Sequence, residues 1–200
     1  MLNGIDISHH NFYMKDLHDM NNMDFVIMKA TEGVRYRDNK MPTYMNVLRS
    51  DMLYGFYHFA RPDLGNDPED EAMNFVNYIR KYISDRSILA LDVEAGALAV
   101  AGLDKWCATW MQVVEIETGI LPMLYCSTAE TKKFKATAAL GCGLWAAKWG
   151  NKPTQKQIDP WPFWAIWQYT DSETFSGIKV DADRFNGDRE QFMAYCKAGE

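Results

Sequence analysis

Short apolar runs recur along the first two thirds of the chain, each ending in polar residues and most separated by segments with helical spacing. The first, Leu2, Ile5 and Ile7, carries Asp6 near its end and leads into the polar segment "SHHN" at 8–11. "DFVIMKA" at 24–30 comes next, with Lys29 at its end, Thr31 and Glu32 just beyond, and a polar loop around Gly33. After a helix predicted over 41–51 comes "LYGFYHFARP" at 53–62, ending in Tyr57, His58 and Arg61, and then "ILALDVEA" at 88–95 and "LPMLYCS" at 121–127. Runs this short and aliphatic, alternating with helical segments, predict buried parallel strands of an α/β protein.

Stripes and caps mark the helices between them. Asp67 is placed as an N-cap before Pro68, with Glu69, Asp70 and Glu71 in the first turn, where the helix dipole favours acids. Ala72, Phe75, Val76, Ile79 and Ile83 form one apolar face; Leu103, Trp106, Cys107, Trp110, Val113 and Val114 form another that closes at Gly119. On that spacing Trp106 and Trp110 belong to the core. A helix to about residue 138 comes after the fifth run, and then helices thin out: "GLWAAKWG", "FWAIWQYT" and "IKVDADRF" are strand signals joined mostly by loops. A short terminal helix starts at Asp188, with Gln191 completing a capping box. Five strand–helix units and then three strands suggest a closed barrel whose last third is irregular. Strict alternation along "FWAIWQYT" sends Trp164, Ile166 and Gln168 to one face and Phe163, Ala165, Trp167 and Tyr169 to the other.

Composition narrows the picture. At 200 residues and 48% hydrophobic, the chain can fill the core of one domain, expected over residues 1–200. A formal charge of −6 and the lack of a basic run argue against nucleic acid as a partner. No apolar stretch is long enough to span a membrane, and the N-terminus lacks the pattern of a secretory leader, so synthesis in the cytoplasm without a signal peptide is the expectation. Cys107, Cys126, Cys142 and Cys196 have no metal-ligand spacing and read as small buried residues. His9 and His10 are adjacent and point apart on an extended chain, which suits a loop or a ligand contact better than a metal clamp.

Candidate chemistry concentrates in "ILALDVEA". Asp92 and Glu94 are two apart, so on a strand they share a face with Cα atoms about 6.6 Å apart, while Val93 faces the opposite layer. Paired acids at the C-terminal end of a parallel strand lie where barrel enzymes keep their chemistry. Their repulsion raises one pKa, and an acid beside a carboxylate is what cleavage of a glycosidic bond needs. The bland alternative is a solvated strand end. His58, in the same kind of position, reads as part of the site, and the acids at 67–71 read as helix-dipole partners.

Taken together, "GIDISHHN", "FVIMKATEG", "YGFYHFARP", "ALDVEAG", "LYCS", "LWAAKWG", "WQYT" and "VDADRFNG" resemble, in order and along nearly the whole chain, glycoside hydrolase family 25, the Chalaropsis-type lysozymes. The resemblance implies a single irregular TIM-like (β/α)5β3 barrel of the α/β class, with no separate wall-binding domain. It implies a muramidase that cleaves the β-1,4 bond between N-acetylmuramic acid and N-acetylglucosamine of bacterial peptidoglycan, in a context resembling a bacteriophage endolysin. Carried over, Glu94 becomes the general acid, with its pKa raised by Asp92, Asp6 and Asp181 around one pocket. Asp92 is its companion carboxylate, and Asp6 and Asp181 are the acids of the first and last strands. Tyr57, Tyr125, Trp145, Gln168 and Tyr169 match groove positions. Asp183 falls where the family usually shows a non-acidic polar residue and receives no catalytic role; Trp149 stands where a tyrosine is common. No metal or organic cofactor is called for, and the partner is the glycan strand, met by a monomer. Whether Asp92 activates water or positions the substrate's 2-acetamido group stays open. The rival readings are a metal-dependent polysaccharide deacetylase built on Asp6, His9 and His58, and a catalytically inactive glycan-binding barrel.

Overall fold

A computed structural model describes residues 1–11 and 13–196. Its elements run β1 (Leu2–Ile7), β2 (Phe25–Glu32), β3 (Tyr36–Arg37), α1 (Met41–Val47), β4 (Leu53–Phe59), α2 (Pro68–Ile79), β5 (Ser87–Asp92), α3 (Leu103–Thr118), β6 (Met123–Ser127), α4 (Lys135–Ala138), β7 (Leu144–Ala147), α5 (Gln155–Ile158), β8 (Ile166–Phe175), β9 (Ile178–Phe185) and α6 (Arg189–Ala194). The strands are ordered β1-β9-β8-β7-β6-β5-β4-β2-β3, and β1 also pairs with β2, which closes eight of them into a barrel with β3 as a short arm. Neighbours from β1 through β2 and β4 to β8 are parallel; β9 alone runs antiparallel to both of its neighbours. All eight expected barrel strands form, and the helices do thin out after β6.

Alternation sorts each strand into two layers. Val26 and Met28, Phe56, Leu89, Leu91 and Val93, Leu124 and Cys126, Leu144 and Ala146 face outward and meet α2 and α3 in the larger core. Phe25 and Ile27, Leu53, Ile88 and Ala90, Met123, Trp145, Ile166 and Phe185 face inward and fill the barrel, stopped at one end by Phe192 and Cys196. Each large apolar side chain so enclosed contributes on the order of 1.5–3 kcal/mol. The interior is too narrow for side chains at every inward position: a Cβ at Gly4 would lie 2.4 Å from the Phe25 ring, and one at Gly55 would lie 2.6 Å from Ile88. At the other end of the barrel the same inward positions turn polar, which is what opens a pocket there.

Several expectations change. The helix predicted over 41–51 stops at Val47, and the one reaching 138 is a 3-10 turn at Thr131–Lys133 followed by a four-residue α4. β8 starts at Ile166, so alternation does not extend back to Trp164, whose ring packs on Trp167 in the outer layer instead of sharing a face with Ile166 and Gln168. Asp67 occupies the N-cap of α2 but makes no side-chain capping bond. Asp188 and Gln191 form the expected capping box. Trp110 is fully buried, and Trp106 is partly buried with its indole N–H donated to the Asn66 carbonyl. Cys107, Cys126 and Cys142 are buried free thiols, held well above the ordinary thiol range chiefly by burial.

Candidate active site

Inward alternation delivers Asp6 from β1, Lys29 from β2, Tyr57 and Phe59 from β4, Asp92 from β5, Tyr125 from β6, Trp145 from β7 and Asp181 from β9 to the C-terminal end of the barrel. Together with Ser8, His10 and Glu94 they line a cavity of about 260 Å³. Glu94 lies just past the last residue of β5 in extended conformation, and Ala95 then takes a left-handed turn at φ 49°, bending the chain away at once. A non-glycine residue in that region is strained by about 1 kcal/mol or more, a cost that the surrounding packing offsets.

Gln168 ties the pocket wall together. Its amide nitrogen donates to Asp6 at 2.8 Å and to Asp181 at 3.3 Å, while its oxygen accepts the Tyr125 hydroxyl at 3.0 Å. Below them the Trp145 indole N–H donates to Asp183 at 2.8 Å. Lys29 pairs with Glu32 at 2.7 Å and lies over the Phe59 ring, and Arg61 holds Glu32 from the other side at 2.8 Å. Burial opposes ionisation of Glu32, but the Lys29 and Arg61 hydrogen bonds outweigh it and hold that carboxyl below its ordinary range.

The remaining pocket acids go the other way. Burial, then the Glu94 charge, pushes Asp92 well above the usual carboxylate range, and one of its oxygens is buried with no partner among the described residues. Glu94 is raised by burial and pulled back by Lys29. This corrects the expectation that neighbouring acids raise Glu94: water exclusion does so, and Asp92 is the member of the pair that repulsion lifts. Asp181 is pushed up to about 6 by burial, Asp171 and Glu94. Burial drives Asp183 up to about 7 against the Trp145 bond, and it drives Asp6 up with Asp183 and Asp181 adding to the effect.

These shifts predict a stability profile. A folded-state pKa above the unfolded one means that the native state binds more protons in between, so stability falls as pH rises through that window. Buried His58 has a lowered pKa and works in the opposite sense, but only below the unfolded value of about 6.5. Between about pH 6.5 and 8, urea unfolding should therefore give decreasing stability, by up to about 1.4 kcal/mol per pH unit for each proton retained. A flat profile would mean that the pocket acids are ionised in the native state.

Not every candidate faces this cavity. His58 is fully buried on the outer face of β4, hydrogen-bonded to Thr31 at 2.7 Å and Glu71 at 2.8 Å, and stacked on Trp110. It is structural, because one position along the strand from Tyr57 reverses its face. The deacetylase constellation of Asp6, His9 and His58 accordingly does not assemble. Glu71 is likewise no solvated dipole partner: it is fully buried and also accepts from the Arg61 backbone N–H and the Asn66 amide. Tyr169 lies outside the pocket, its ring against Trp167 and beneath Arg184. Lys29, placed at a strand end, and His10, read as a loop or ligand contact, both enter the lining, and Phe59 joins them without having been singled out; the alternation of Phe25, Ile27 and Lys29 was a readable signal for the inward face of Lys29. A second cavity of about 400 Å³ continues from the first past Glu94 and Tyr125 to Leu98, Lys148 and Trp149, the last 62% exposed.

Comparison with known proteins bears on the family and the fold. Residues 5–178 match the profile of the Glycosyl hydrolases family 25. Lysozyme M1 of Streptomyces globisporus is 28% identical over 189 residues, covering 86% of this chain and 63% of that protein, so the chain spans less than two thirds of this relative. A family GH25 lysozyme from Aspergillus fumigatus superposes with a TM-score of 0.81 at 25% identity, over 98% of this chain and 99% of that one. The bacterial lysozyme from Streptomyces coelicolor superposes with a TM-score of 0.83 at 24% identity, over 98% and 96%.

Proposed function

The chain belongs to glycosyl hydrolases family 25, and from that premise we propose that it is a muramidase acting on bacterial peptidoglycan. The observation that carries the reading is the position of Glu94, a carboxyl raised by burial where the two cavities meet. A glycan laid across both would put its scissile oxygen beside Glu94, with the reacting ring among the acids and the leaving sugar toward Trp149. Covering the pocket removes the remaining exposure of Glu94 and lifts it further, so that it arrives protonated. Glu94 gives its proton to the glycosidic oxygen, the bond from that oxygen to C1 breaks with the electron pair on oxygen, and water finally supplies a hydroxyl to C1 and a proton back to Glu94. Asp92 is the companion carboxyl deeper in the pocket, and Asp181 and the Gln168 network favour positive charge at the oxocarbenium-like ring. Tyr57, Tyr125 and Trp145 shape the wall that the ring meets.

The test is the chemistry of the new reducing end released from purified peptidoglycan. Muramic acid ends are expected; glucosamine ends would keep the hydrolase and overturn the bond assignment, and intact glycan with retained wall binding would favour the inactive glycan-binding barrel. Trp149 offers a check on how the groove is used. Stacking of a sugar on an exposed indole is worth about 1 kcal/mol, so Trp149→Ala should raise KM roughly fivefold with kcat nearly unchanged. An unchanged KM would move the leaving sugar off that ring.

A further inference from the structure

Asp183 is a pocket-region acid to which the muramidase mechanism gives no step, and its surroundings are unusual. In register it lies opposite Gly4 of β1 and opposite Gln168 of β8, one inward position below the facing pair Asp6 and Asp181. It is fully buried. One carboxyl oxygen accepts the Trp145 indole N–H at 2.8 Å; the other is buried with no hydrogen-bond partner among the described residues, on the side of the barrel where Asp6 stands one inward position above, and the two carboxyls shift each other's pKa, Asp6 upward and Asp183 downward.

Ionised carboxylates only accept hydrogen bonds, so two of them can bond only when one carries a proton. A buried carboxylate oxygen without a donor is costly, which favours placing that proton between them. We propose that Asp183 is a positioning residue of the active site: it shares one proton with Asp6, locks that carboxyl toward Gln168, and pins Trp145 as the inner wall of the pocket. The floor of the pocket then carries one negative charge where two acids stand. Asp183 acts through Asp6 and Trp145 and never touches the glycan.

The charged and titratable groups facing this pair are Asp181 on β9, Asp92 and Glu94 at the end of β5, Lys29 on β2, and Tyr57 and Tyr125 on β4 and β6. Both tyrosines are held well above their ordinary range, chiefly by burial, and stay neutral. Lys29 is the one cation lining the cavity among the described residues, and it is engaged by Glu32. Loss of the shared proton thus adds a second buried charge to a site already rich in acids, so the pair keeps it beyond neutrality: Asp183 ionises at about 7, while Asp6 is held well above the ordinary carboxylate range.

The effect on hydrolysis rests on the muramidase reading, whereas the shared proton does not, and the test separates the two. Carboxyl-13C aspartate NMR of the ligand-free protein should show Asp6 and Asp183 titrating as a coupled pair, each sensing both steps, and this coupling should be absent from both Asp183→Asn and Asp6→Asn. In Asp183→Asn the new amide keeps an acceptor for Trp145 and offers Asp6 an N–H, so Asp6 should titrate lower by about one unit or more. The alkaline limb of the kcat/KM profile should shift in that variant, with the thermal midpoint showing an intact fold. Independent, monophasic titration of the two carboxyls in the wild type, or biphasic titration that persists in either variant, overturns the proposal, as does an unmoved alkaline limb in folded Asp183→Asn. Should Asp183→Asn fail to fold, Asp6→Asn decides alone. A wild type that releases no reducing ends leaves the NMR result decisive for the proton and sinks only the muramidase reading.

Discussion

Replacing Glu94 by Gln should lower kcat on peptidoglycan by roughly 10²–10⁴-fold, the range that a positioned general acid contributes. The amide has nearly the shape of the acid and can still hydrogen-bond the glycosidic oxygen, but it has no proton of useful acidity to give. Ground-state binding is therefore kept, KM should stay within about twofold, and kcat and kcat/KM should fall together. The position of Glu94 where the two cavities join makes this the sharpest single substitution for the reaction. Its raised carboxyl should also define a limb of the wild-type pH profile that the variant lacks. Retention of more than about a tenth of wild-type turnover, well above the residue expected after loss of a general acid, would remove Glu94 from that role.

The largest effect on stability is expected far from the chemistry. Glu71→Ala deletes a fully buried carboxyl that satisfies His58, the Arg61 backbone N–H and the Asn66 amide at once. Burial lowers the pKa of His58, so its ring is neutral, donating from Nε2 to Glu71 and accepting the Thr31 hydroxyl at Nδ1. Without Glu71 these donors are stranded between β4 and α2. The cost should be about 3–5 kcal/mol, a fall in Tm of about 10 °C for a chain of this size. Activity at low temperature should survive, because Glu71 lies on the opposite side of the sheet from the pocket. Lost turnover at an unchanged Tm would show that this cluster belongs to the site after all.

His58 and Tyr57 mark where sequence reasoning reached its limit. Both end the same run beside Arg61, and the chemistry of the imidazole made it the more tempting of the two. The strand turns Tyr57 to the pocket and His58 to the helices, a distinction carried by a single step along the backbone. The same alternation was legible for Phe25, Ile27 and Lys29, and for Asp92, Val93 and Glu94, because there the apolar and polar positions alternate visibly. It was not legible where both faces are apolar, as in "LYGFYHF". Trp164 was misplaced for a related reason: alternation is a property of strand, and the strand begins two residues later.

The eight strands, the caps of α3 and α6, the family and the four acids Asp6, Asp92, Glu94 and Asp181 were determined by the sequence itself. The strands and caps depend on local periodicity and turn residues and the Asp92–Glu94 pair on spacing, while the family, with Asp6 and Asp181 among its acids, was carried by the resemblance of motifs that the chain holds in linear order. The tertiary structure decided the features that arise only when the barrel closes. It brought Asp183 beneath Asp6 across β1 and β9, hung Gln168 between Asp6 and Tyr125, paired His58 with Glu71, and left Asp92 more strongly desolvated than a strand end needs to be. Burial and charge proximity act through space, over separations such as the 162 residues between Asp6 and Gln168. No local pattern encodes them until the sheet has closed.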